Sequence, residues 1–109
     1  MSINRLMTVV LQSQDVDNAS EALSKAGLMA TRLSTTGVFL GSRNTTLLIG
    51  MSGGQEAEAI KILRETCRRR VEYVATPLEG APFHLPLTTP VTVGGATVFT
   101  LEVERYEVI

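Results

Sequence analysis

Enzymatic or metal chemistry needs several titratable or nucleophilic side chains brought together, and this chain of 109 residues offers few. Its one histidine, His84, falls in a proline-rich stretch, and its one cysteine, Cys67, falls on the apolar stripe of a helical segment. A His/Cys metal site needs more ligands than these two residues supply. A thiol becomes a nucleophile only beside a base or cation that lowers its pKa. Cys67 is therefore expected as a small buried hydrophobe, and His84 as a solvated loop residue. Glu56, Glu58 and Glu65 alternate with Lys61 and Arg64, the pattern of a solvated helix face and not of an acid–base pair. The residues predict no enzymatic activity, no cofactor and no metal.

Phosphate-binding signatures are equally sparse, since no Walker or G-x-G-x-x-G sequence follows a strand. Gly53-Gly54 ahead of a helix could present N–H groups to an anion, but a turn into the helix explains the pair. Arg68-Arg69-Arg70 could clamp a phosphate, but cations at a helix C-terminus explain two of the three. The segment from Ala30 to Asn44 is the unusual one. Between two glycines, Gly37 and Gly41, it places the apolar Val38-Phe39-Leu40, with Thr35 and Thr36 before them and Asn44 after. An aromatic ring offers a stacking face to a nucleobase, and an asparagine amide can both donate to and accept from an adenine edge. Threonine hydroxyls and free loop amides can hold ribose and phosphate. A loop folded onto the core or onto a neighbouring subunit accounts for the same composition, and the spacing alone does not choose.

These residues must be positioned by a single domain spanning 1–109, with one core and little to spare. A composition of 44% hydrophobic and 19% charged residues is that of a globular protein, and a formal net charge of -1 gives no long-range pull on nucleic acid. The lone cysteine suits a reducing compartment. The apolar N-terminal run is too short to span a bilayer, so no membrane partner and a cytoplasmic location are expected.

Periodicity predicts a strand over Leu6–Leu11, a helix over 15–26 begun by Asp15 and closed by Gly27, and a strand over Leu28–Leu33. A further strand follows over Thr45–Met51, then a helix whose buried stripe is Ala57, Ile60, Leu63 and Cys67, then a strand over Val71–Ala75. Lys61–Glu65 and Glu65–Arg69 are spaced to pair across single turns of that helix. Pro77, Pro82, Pro86 and Pro90 argue against regular sheet in their segment. Val91–Val103 alternates around Gly94-Gly95, a bulge or close-approach point. The order is β-α-β, β-α-β with an extra loop, which is an α+β ferredoxin-like βαββαβ sandwich. Its open sheet face wants a partner, and self-association into a closed ring supplies one.

The wording of several segments resembles a known family. Ala30-Thr31-Arg32-Leu33-Ser34-Thr35-Thr36-Gly37-Val38-Phe39-Leu40 followed by Asn44-Thr45-Thr46, then Thr66-Cys67 with its arginines, then Val91-Thr92-Val93-Gly94-Gly95-Ala96-Thr97-Val98-Phe99, closely resemble the P-II-like cyclic-di-AMP receptors of the PstA type, in order and along essentially the whole chain. The resemblance implies a homotrimeric P-II-like signalling protein that binds cyclic-di-AMP in clefts between subunits. Loops at about 34–43 and 76–90 would relay occupancy to a downstream protein.

Carried over by position, the resemblance implies that Ala30 and Thr31 grip the ligand, with Thr36 and Gly37 in the adjoining loop. Phe39 and Leu40 would flank an adenine, Asn44 would read its edge, Gly50 would allow close approach and Phe99 would close the apolar wall. The chain departs from the family at Met29, where an arginine is usual, at Val38 and Arg43, where glycines are usual, and at Val108, where a glutamine is usual. Arg43 could restore a phosphate contact. The departures leave open another adenine nucleotide or cyclic dinucleotide, and beyond those a ligand-independent trimeric interaction module.

Overall fold

A computed structural model describes residues 3–33, 44–77 and 86–109. The first strand, β1 (Arg5–Gln12), alternates strictly and buries Met7, Val9 and Leu11, as a strand covered on one face does. A single 3-10 turn (Ser13–Asp15) leads into α1 (Val16–Lys25), whose Val16, Ala19 and Leu23 face the core. Gly27, with φ of 80°, closes the helix, and the Leu28 N–H donates back to the Leu23 carbonyl at 2.9 Å. Leu28 thus belongs to the helix C-terminus, so the following strand, β2, is shorter than expected and runs Ala30–Leu33.

The next strand, β3 (Asn44–Met51), buries Thr45, Leu47, Ile49 and Met51. Ser52 then turns the chain, its N–H donating to Gln55 Oε1 at 3.0 Å, into α2 (Glu56–Thr66). The buried residues here are Ala59, Leu63 and Cys67, spaced i, i+4, i+8, whereas Ala57 is exposed. The expected stripe was therefore misplaced at its first residue. The helix also ends before Arg69, so Arg69 cannot pair with Glu65 across a helical turn. No ion pair involves Lys61, Glu65 or Arg69 among the described residues.

The largest departure from expectation lies in the proline-rich segment. The chain forms a hairpin there, β4 (Arg70–Pro77) with β5 (Pro86–Val93). Its register pairs Tyr73 with Pro90 and Pro77 with Pro86. These prolines share one phase of the ladder, which suits positions whose backbone nitrogen points away from the partner. A two-stranded ribbon tolerates proline because each strand keeps one free edge.

The last strand, β6 (Ala96–Glu102), returns to pair with β1. The main sheet has the order β2-β3-β1-β6 with every neighbouring pair antiparallel. Both helices cover one face, which is the ferredoxin-like arrangement. The β4–β5 hairpin is inserted between α2 and the final strand and forms a separate sheet. Gly94-Gly95 is therefore a joint between two sheets and not a bulge within one strand. No helix among the described residues is long and apolar enough to cross a membrane.

Candidate functional site

Register decides where each candidate points. Paired residues in an antiparallel sheet share a face, so Thr31, Leu48, Thr8 and Phe99 form one row across the side opposite the helices. Asn44 and Gln12 pair on the same side at one end of the sheet, and Gly50 pairs with Leu6 at the other. Four predicted contacts, Thr31, Asn44, Gly50 and Phe99, thus lie on the open face. Ala30 pairs with Ile49 and packs against the core on the helix face, so only its backbone remains for a ligand. Thr36, Gly37, Val38, Phe39, Leu40, Arg43 and His84 lie outside the described residues.

The open-face candidates do not converge within one chain. Thr31 and Phe99 are separated by three strand spacings, about 14 Å, and Asn44 and Gly50 by six residues of strand, about 20 Å. The face between them is partly apolar, with Leu33 43%, Phe99 55% and Leu101 55% exposed.

Each end of the sheet carries a cleft. At one end Gly50 sits with Ile3, Leu6, Gly27, Met29, Gln55, Val103 and Tyr106 around a space of about 530 Å³. Gly50 permits a close approach, but the neighbour filling it is Ile3, whose Cγ2 would lie 3.3 Å from a Cβ placed there. Met29 lies at the rim of this cleft with its side chain exposed, and it brings no cation. Val108 is exposed near the C-terminus.

At the other end Asn44 lines a polar cleft of about 190 Å³ with Gln12, Arg69, Gly94, Gly95 and Thr97. This end is built by long-range contacts. The Gly94 N–H donates to Gln12 Oε1 at 2.8 Å, and the Gly95 N–H donates to the Cys67 carbonyl. Gly94 has φ of 91°, and a Cβ there would meet the Arg68 carbonyl oxygen at 2.3 Å, so the glycine is sterically required.

Asp15 occupies the N-cap position of α1 but makes no side-chain cap. Its carboxylate, only 2% exposed, instead accepts from Arg70 Nη2 at 2.8 Å and Nη1 at 3.5 Å. Hydrogen bonding to Asp15, with Glu72 adding to it, holds the Arg70 guanidinium still more firmly protonated than usual. Arg70 therefore ties the root of the hairpin to the start of α1 and is not a helix cap. Burial pushes the Cys67 thiol up, which keeps it neutral and unreactive, in line with its reading as a small hydrophobe.

The contributions of Gln12, Asp15 and Arg69 to this end were not evident from spacing. They meet Asn44 and the glycine pair only after the chain has folded across many tens of residues.

Among the described residues no group of three or more His, Cys, Asp or Glu side chains is arranged to hold a metal. The shape and wording of the chain both have counterparts. A solved structure of a functionally unknown protein from Pediococcus pentosaceus superposes with a TM-score of 0.76 at 32% identity, covering 100% of both chains. The family model described as the cyclic-di-AMP receptor matches residues 4–109. A match of that extent places the chain in the cyclic-di-AMP receptor family.

Proposed function

We propose that the protein binds cyclic-di-AMP in clefts between neighbouring subunits of a homotrimer and relays occupancy through the conformation of its loops. Membership of a receptor family implies a binding protein rather than an enzyme. The observation that carries the inter-subunit reading is the separation of Thr31, Asn44, Gly50 and Phe99 across one open, partly apolar sheet face. One chain cannot close these residues around one ligand, whereas packing two such faces edge to edge brings distant rows together. Closed symmetric assembly also covers the apolar residues that a monomer would leave in water.

In this arrangement Thr31 and the Ala30 backbone hold the ligand from β2, Asn44 reads an adenine edge, and Phe99 supplies an apolar wall from a neighbour. Thr36, Gly37, Phe39, Leu40 and Arg43 complete the site from the loop after β2. A ligand shifts loop populations only through its different affinity for the two states. The relay therefore requires the loop residues to touch the ligand in one state and release it in the other.

Native mass spectrometry should give the mass of three chains, and calorimetric titration with cyclic-di-AMP should give a saturable signal. A monomer by mass, or no heat even with submillimolar ligand, would rule the reading out. A second reading keeps the site but changes the ligand to another adenine nucleotide or cyclic dinucleotide. It is favoured by Met29, an exposed thioether at the rim of the Gly50 cleft that cannot pair with phosphate. A thermal-shift panel across nucleotides separates the two, because only the second predicts a larger shift with a ligand other than cyclic-di-AMP.

A further inference from the structure

Three arginines leave the end of α2, and their fates differ. Arg70 is committed to Asp15 and Glu72. Arg68 is exposed and borders the groove between α2 and the outer edge of β6. Arg69 stands at the corner where that groove meets the polar cleft containing Asn44, and it lines both. Its course is set by the glycine joint. A Cβ on Gly95 would lie 3.2 Å from Arg69 Nε and 3.4 Å from its Cγ, so the side chain crosses a surface that only glycine leaves open.

The chemistry of the Asn44 cleft then points one way. Among the described residues its lining contains no carboxylate, and Arg69 is the cation they supply. Arg69 itself makes no ion pair or side-chain hydrogen bond among the described residues. A turn with two consecutive positive-φ glycines could offer its backbone N–H groups to an anion. Here both are already used, Gly94 by Gln12 and Gly95 by the Cys67 carbonyl. An anion entering this cleft must therefore be met by a side chain, and Arg69 presents a planar fork of donors matched to phosphate oxygens. At about 190 Å³ the cleft suits a phosphodiester, being smaller than the roughly 300–1,000 Å³ of pockets that enclose whole small ligands.

We infer that Arg69 is a phosphate-binding residue of the cyclic-di-AMP site, donating to a phosphodiester while the neighbouring Asn44 reads the adenine edge. This rests on the ligand reading proposed above. It supplies a cation at the Asn44 end of the sheet, whereas Met29, just before β2 at the Gly50 end, supplies none. It also couples the ligand to the hairpin root, since Arg69 immediately precedes β4.

The test is calorimetric titration of the full-length protein and of Arg69→Ala, Arg69→Lys and Arg64→Ala with cyclic-di-AMP at low and high salt. Melting temperatures establish that each variant is folded. Arg64 borders only the neighbouring groove and reports the general electrostatic field. Arg69→Ala should weaken binding by at least about tenfold, as loss of a charge-assisted hydrogen bond does, and should flatten the salt dependence of affinity. Arg69→Lys should recover part of the loss by restoring charge without the fork, and Arg64→Ala should stay within about twofold of the parent, as a screened surface charge does.

Equal affinities for the parent and Arg69→Ala would overturn the inference and leave the ligand reading standing. An equal loss in Arg64→Ala would also overturn it, by showing a field effect and no contact. No binding by the parent protein would overturn both.

Discussion

Asn44 opens β3 opposite Gln12, and Gln12 holds the amide of Gly94. The residue proposed to read the base is thus one register step from the joint of the hairpin. Asn44→Ala should weaken cyclic-di-AMP binding by about 1–3 kcal/mol, because a base edge taken out of water loses its partner. Unchanged affinity in a titration would move base recognition elsewhere.

Cys67 gives a pH prediction of definite sign. Its folded pKa is raised by burial, so the unfolded thiol ionises first as pH rises. The stability that Cys67 contributes is complete below about pH 8.5 and is lost as pH climbs toward the folded value. The stability difference between the parent and Cys67→Ala, measured by denaturant unfolding, should shrink from pH 7 to pH 10, and a difference that grows would reverse the assignment. Sequence wording located Thr31, Asn44, Gly50 and Phe99 on what proves to be one face, and the buried state of Cys67 was legible from its helical stripe. Arg69 and Asp15 were not legible in these roles. A run of three arginines reads alike along its length, and only the fold distinguishes the one bound to Asp15 from the one facing the Asn44 cleft.

Among the elements, the β4–β5 hairpin and its glycine joint depart furthest from the sequence reading. Prolines are informative about which N–H groups are missing, but not about which edge of a ribbon those groups would have faced. Four prolines therefore looked like an interruption, although Pro77, Pro86 and Pro90 sit at tolerant positions of a regular ladder. The close approach at Gly94-Gly95 was foreseeable from the glycine pair, whereas its partner, the Arg68 carbonyl, was not. Gly94→Ala forces both a Cβ onto that carbonyl and an unfavourable positive φ. It should cost more than about 2 kcal/mol, with hydrogen exchange accelerated first in β4 and β5 and less in β1 and β3. Uniform exchange across both sheets would mean that the joint is not a local weak point. Gly27→Ala is a useful comparison, because φ is also positive there but nothing lies within 4 Å of a Cβ. Its smaller cost isolates the backbone penalty from the clash.

At the scale of the whole molecule, the alternation of strands and helices was sufficient to predict the ferredoxin-like sheet. The split βαβ units leave little choice of strand order once β1 and β3 are both half-buried and central. The radius of gyration, 17.9 Å, exceeds the roughly 13 Å of a compact chain of this length. The excess fits a domain that carries a separate hairpin and exposes one sheet face. Leu101→Asp places a charge on that face without touching the core, since Leu101 is exposed and lies in the row of Leu6 and Gly50. It should leave the secondary structure intact by circular dichroism while lowering the assembly state seen in size-exclusion chromatography with light scattering. An unaltered mass would mean that subunits associate through another surface.

The length of the hairpin and the position of its joint together set a mechanical ratio. β4 covers eight residues from Arg70 to Pro77, about 25 Å of extended chain. With rotation confined to its root, a turn of about 10° there carries the far end through about 4 Å. The Asp15–Arg70 pair grips the short side of this lever, and the Pro77–Pro86 pair lies on its long side. A displacement that is small at the Asp15–Arg70 pair is thereby larger at Pro77 and Pro86, the far end of the described ladder.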